Sequence, residues 1–204
     1  MRVILGSKSP ARLKTLISAG VHPEVIDSEV DESRISAQSV SQLTNTLAQL
    51  KGESVLARIG AEIEEPTIVL ACDSMLEIED RIYGKPGTAE AAVLRWHRMR
   101  GRQGVLYTGH YVALVSPGEP LRKQVRVAST IVTFADLTDA EIEAYAATGE
   151  PQKVAGAFTI DGFGGPFITR LEGDPHNVVG ISLPLVRQML LDLGVEWQNL
   201  WTIA

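Results

Sequence analysis

The chain has 204 residues, 45% of them apolar and 22% charged, which is the balance of a soluble globular protein and suits one domain or one domain with a lobe. Its net charge of −6 argues against binding a nucleic-acid polymer, which wants a broad basic face, and its single cysteine, Cys72, excludes a disulfide framework within the chain and favours a reducing cytoplasm. No run of about 18 apolar residues occurs and the apolar run in the opening MRVILGSKSPARL is too short for a signal peptide, so no membrane span is expected; with the lone cysteine, a cytoplasmic protein is expected.

The first predicted element is a buried strand, RVILG at 2–6. A helix over 11–19 follows, with Pro10 at its start and Gly20 past its end. EVIDS at 24–28 reads as a second strand, and 31–36 as a polar loop. Val40, Leu43, Leu47, Leu50 and Ala57 keep helical spacing, which predicts a long helix over 39–59 that tolerates Gly52. TIVLACD at 67–73 is continuous and β-branched, the pattern of a strand buried on both faces, and a short second strand leads into YGKPG. Thr88 caps a helix over 89–100, ended by Gly101. GVLYTGHYVALV and QVRVASTIVTFA flank PGEP as a long antiparallel hairpin. A helix follows in TDAEIEAYAATG, then two short strands around the glycine-rich turn of FTIDGFGGPFITRL. The last helix is LPLVRQMLLDLG, with Pro184 in its first turn. The two tryptophans of the tail EWQNLWTIA read as a cap on the core or a partner contact. Helices alternating with strands, then antiparallel pairs, predict an α/β fold on a mixed twisted sheet.

Asp73 is the leading candidate site residue. A carboxylate after five apolar residues is expected at the carboxyl end of a strand, where open α/β sheets bind ligands. The plain alternative is a carboxylate that caps the next turn. Lys85 is presented by a glycine–proline turn, though a lone lysine is as a rule solvated. In GSKSPAR, Ser7, Ser9 and Arg12 surround a strand-to-helix junction whose free N–H groups suit a phosphate; simple capping by Ser9 is the alternative. Lys51 and Glu32, taken singly, read as solvated charges. The four histidines have no metal-binding spacing, and neither a Walker loop nor a G-x-S-x-G elbow occurs.

Together, ILGSKSPARLKTL, TLAQLKGESV and LACDSMLEIEDRIYGKP resemble the spaced motifs of the Maf family of nucleotide pyrophosphatases, and YTGHYVAL, VAGAFTIDGFGGPFITRLEGD and NVVGISLP follow in that family's order. The chain departs from the family's pattern at Ala11, Ser74, Val154, Phe158 and Asp161, changes that bear on base preference. The resemblance implies hydrolysis of nucleoside triphosphates, standard or non-standard, to a monophosphate and pyrophosphate. It implies an ITPase-like fold with two lobes around a cleft, a homodimer and a division-related role. It implies Mg²⁺ or Mn²⁺ held by Glu32 and Asp73, with Asp73 as proton acceptor and Lys51 and Lys85 as catalytic cations. Ser7, Ser9 and Arg12 would bind the substrate. The alternative is a non-catalytic nucleotide-binding regulator of cell division.

Overall fold

The structure is a computed structural model that describes residues 1–32, 35–60 and 63–202; positions 33 and 34 of the expected polar loop lie outside them. In chain order the elements are β1 (Arg2–Leu5), α1 (Pro10–Ser18), β2 (Glu24–Val25), α2 (Val40–Ile59), β3 (Thr67–Ile78), β4 (Arg81–Tyr83), α3 (Ala89–Met99), β5 (Gln103–Val115), β6 (Arg122–Phe134), α4 (Asp139–Ala147), β7 (Ile168–Glu172), α5 (Pro175–Val179) and α6 (Leu183–Asp192). The strands form one sheet in the order β2-β1-β3-β5-β6-β7, with β4 also paired to β3. The sheet is mixed: β1 runs parallel to β2 and β3, whereas β4 and β7 run antiparallel to β3 and β6. Residues 116–121 are too few for a crossover, so β5 and β6 form the expected antiparallel hairpin. Among the described residues no helix is long and apolar enough to cross a membrane.

Two compact units divide the chain. The first holds 1–73, 108–128 and 180–204, the second 74–107 and 129–179, so the boundaries fall inside β3, β5 and β6.

In the first unit, strand alternation sorts the core into two layers. Val3 and Leu5 of β1, with Ile68, Leu70 and Cys72 of β3, pack against Leu16 of α1 and Val186, Met189 and Leu190 of α6. Ile4, Val69 and Ala71 pack on the other side against Ala48, Val55 and Ile59 of α2. The buried stripe of α2 is Val40, Thr44, Leu47, Ala48, Gly52, Val55 and Ile59; Leu43 and Leu50 lie beside it and Ala57 is exposed, a rotation away from the predicted stripe. Two glycines set how closely α2 lies on β5. A Cβ on Gly52 would stand 2.1 Å from the Tyr111 ring, and one on Gly109 would stand 2.2 Å from the Thr44 carbonyl oxygen. Helix propensity alone favours Gly52→Ala by about 1 kcal/mol, but overpacking costs about 1–3 kcal/mol and cannot be relieved by so rigid a ring. Gly52→Ala is therefore expected to lose stability on balance, read as a lower midpoint in urea denaturation.

The tail folds back on its own unit. Leu200 is buried in the α1/α6 layer, Trp197 packs against it, and the Thr202 amide donates to the Gly20 carbonyl. The core-cap reading of the tail therefore accounts for Trp197, while Trp201 stays half exposed.

The second unit centres on Trp96, ringed edge-to-face by Phe134, Tyr145 and Phe167. Its Nε1 donates to the Ala157 carbonyl at 2.8 Å. Thr138 and Glu141 close a capping box at the start of α4, and Thr88 caps α3. Two expectations fail here. Only one strand, β7, forms in FTIDGFGGPFITRL, and the segment GDPHNVV contains the unforeseen α5. Where that first strand was expected, Glu150 instead holds Thr159 and the glycine-rich turn after it. Its carboxylate accepts from Thr159 Oγ1 at 2.6 Å, Tyr145 Oη at 2.9 Å and the amides of Phe163 and Gly164 at 3.1 Å each. Burial pushes the Glu150 carboxyl up, but the four hydrogen bonds together outweigh it and hold its pKa below the ordinary value. A carboxylate with a depressed folded pKa adds stability above its unfolded pKa of about 4.3 and loses it as pH falls through the folded value. Glu150→Gln is expected to lower the thermal midpoint by about 4 °C at pH 7, with the gap to wild type closing below pH about 4.

Candidate active site

β3 carries the central side chain, though not where a strand end was expected. The strand runs five residues beyond Asp73, because Leu76, Glu77 and Ile78 pair with β4 across a two-residue turn at Glu79 and Asp80, both with positive φ. What ends near Asp73 is its parallel neighbour: β1 stops at Leu5, opposite Leu70, and α1 begins beyond it. Asp73 thus lies past the carboxyl end of β1, which preserves the ligand-binding logic of a parallel sheet.

Alternation puts Asp73 on the same face as Val69 and Ala71, the face that α2 covers. Lys51 sits on that helix next to Gly52 of the buried stripe, and its ammonium meets Asp73 Oδ1 at 2.5 Å and Glu32 Oε1 at 2.6 Å. The Lys51 side chain is only 12% exposed, so it is not the solvated charge that its type suggests. Glu32 is 45% exposed, at the rim of the same cluster.

The loop from β1 to α1 closes the group. Arg12 Nε donates to the Gly180 carbonyl at 2.8 Å, and its Nη1 donates to the Cys72 carbonyl at 2.8 Å and to Ser7 Oγ at 3.1 Å. The guanidinium therefore ties α1 to β3 and to the segment before α6, a structural duty beyond the expected phosphate contact. Ser9 does cap α1, accepting from the Arg12 amide. Ser7 Oγ accepts from the Ser9 amide and from Arg12, which fills its acceptor positions and leaves its own O–H to donate.

Asp73 is 5% exposed, and its Oδ2 is buried with no hydrogen-bond partner. Burial raises its pKa, against the opposing pull of Lys51 and Arg12. Leaving a buried acceptor unpaired costs about 1–3 kcal/mol, and such an atom in a charged cluster is suited to a ligand. Asp73 Oδ2 and Glu32 are hard oxygen donors of the kind a small divalent cation takes. Among the described residues no group of three or more His, Cys, Asp or Glu side chains gathers as a metal set, so a cation here would draw its remaining ligands from substrate and water. Cys72 offers no competing chemistry: its thiol is fully buried and pushed up to about 11.

Six of the seven candidates, Ser7, Ser9, Arg12, Glu32, Lys51 and Asp73, thus fall within the first unit. Lys85 belongs to the second, exposed on the turn after β4. Sequence reading missed Glu150 and the Arg12 anchor.

The family described as Maf-like protein matches residues 2–193. The chain belongs to the Maf-like family. It is 59% identical over 201 residues to a nucleoside triphosphate pyrophosphatase of Cutibacterium acnes, covering 97% of this chain and 93% of that protein. It is 50% identical over 202 residues to a protein of the same name from Salinispora tropica, covering 99% and 88%. A crystal structure of a nucleoside-triphosphatase / dITP/XTP pyrophosphatase from Mycobacterium abscessus overlaps 67% of this Maf-like chain and 76% of its own, at 17% identity and a TM-score of 0.37, a distant likeness.

Proposed function

We propose that this Maf-like chain hydrolyses nucleoside triphosphates between the α and β phosphates, releasing a nucleoside monophosphate and pyrophosphate. The observation that carries the reading is Asp73 Oδ2, a buried carboxylate oxygen left without a partner while Lys51 occupies Oδ1. In that role Oδ2 takes the proton of the attacking water. Lys51 holds the carboxylate in one rotamer and keeps positive charge beside it. Ser7 and Ser9 donate their hydroxyl protons to phosphate oxygens, and the charge of Arg12 favours the polyanion. Lys85, on the second unit, supplies a further cation to the phosphates.

Asp73 and Glu32 would hold Mg²⁺ or Mn²⁺. When bound, the ion would neutralise phosphate charge and acidify the attacking water. The proposal extends to a homodimer in the cytoplasm.

A panel of nucleoside triphosphates, incubated with each ion, tests it by product. Monophosphate with pyrophosphate is expected. Diphosphate with orthophosphate would reject the α–β assignment, and tight binding without turnover would favour a nucleotide-binding regulator.

A further inference from the structure

Arg95, on α3, is half buried, and among the described residues it makes no ion pair. Burying a guanidinium without a carboxylate is costly unless its donors and its flat face are otherwise used. Both are used on one short stretch of chain. Nη1 donates to the Gly84 carbonyl, and the guanidinium carbon lies 5.0 Å from the centre of the Tyr83 ring. The same Gly84 carbonyl accepts from the Gly156 amide at 3.2 Å, and the Gly87 amide donates to the Gln152 carbonyl at 3.0 Å. Residues 83–87 are the Lys85 turn, so one cation pins that turn to α3 and two backbone bonds pin it to the segment 152–156. Lys85 itself has an exposed side chain and, among the described residues, no ion pair of its own.

We propose that Arg95 is a positioning residue that sets the location of Lys85 by clamping the Gly84 carbonyl and the Tyr83 ring. The inference rests on the reading of Lys85 as a phosphate-binding cation. A main-chain shift of about 1 Å under such a group can cost about a hundredfold in rate. Gly84 and Pro86, flanking Lys85, offer no side-chain donor or acceptor, so apart from the Tyr83 ring, which packs on the core of the second unit, the turn is held by groups outside it.

The test is a cycle of Lys85→Ala, Arg95→Ala and the double variant, with Arg95→Lys as the conservative change. Each is assayed for kcat and KM separately, and the exchange rate of the Gly87 amide is measured by hydrogen–deuterium exchange. Lys85→Ala and Arg95→Ala are each expected to lower kcat/KM by about ten- to a hundredfold, with the double variant no worse than Lys85→Ala alone. Arg95→Lys keeps a donor for Gly84 but loses the flat face, and should recover part of the rate. Gly87 exchange should quicken in Arg95→Ala while amides of β3 stay protected, which separates a loosened turn from a loosened fold. Losses that multiply in the double variant overturn the clamp and make Arg95 an independent contributor. Unimpaired Arg95→Ala beside impaired Lys85→Ala overturns the clamp alone. Unimpaired Lys85→Ala overturns the assignment of Lys85, and with it the purpose of the clamp.

Discussion

Asp73→Asn is expected to lower kcat by about a hundredfold to ten-thousandfold, the range for losing a positioned proton acceptor, with KM changed far less. The substitution keeps the shape of the side chain and an oxygen that can face Lys51. What it removes is the negative charge and the basic lone pair. The fold should not suffer, for an electrostatic reason. Burial raises the pKa of Asp73, which means that the folded state holds the charged form less favourably than water does. Taking that charge away relieves the penalty, and Lys51 keeps Glu32 as its partner at 2.6 Å, so the thermal midpoint should stay close to that of the wild type. Single-turnover kinetics and calorimetry on the same preparation check both halves. Undiminished turnover would end the proton-acceptor role, and a collapsed fold would make Asp73 a structural keystone instead.

Part of this arrangement is legible in one dimension. The apolar run of β3 is visible because a strand covered on both faces has no polar interruption, and Asp73 stands out as the charge that ends the run. The true end of β3 is not visible there, because SMLEI is continued by pairing with β4 and not by burial on both faces. The Lys51 contact could have been found from parity: 69, 71 and 73 share a strand face, and 48, 52 and 55 share the helix face that covers it, with 51 at its edge. Without knowing that α2 covers that face, Lys51 looks like any helical lysine. The Arg12 anchor leaves no trace at all, since it holds two backbone carbonyls, 60 and 168 residues away. Glu150 is hidden for a similar reason. It draws on one hydroxyl from α4 and on donors from a loop nine to fourteen residues later, and no spacing rule marks such a set.

Lys51→Met should lower both turnover and stability, and the two losses should separate in a double variant. Removing one partner of a buried pair costs about 3–5 kcal/mol when the remaining charge has no escape. Asp73 does have one, since it can take up a proton, so a loss of roughly 3 kcal/mol at pH 7 is expected. Glu32 also loses its contact, but it is 45% exposed and water replaces the ammonium. The pH dependence follows from the sign of the Asp73 shift. Without Lys51 its folded pKa rises further above the unfolded value of about 3.9, so the folded state binds more protons and its stability falls as pH climbs from that value to the raised one. Below pH about 4 both states are protonated and the deficit of Lys51→Met should fade. Adding Asp73→Asn to Lys51→Met removes the stranded charge and should restore stability at neutral pH without restoring turnover. Urea denaturation across pH reads the first effect, and the kcat of the double variant reads the second. A deficit that stays the same from pH 4 to pH 8 would mean that Lys51 stabilises the fold through its methylene stem and not through Asp73, leaving the ion pair without the role assigned to it here.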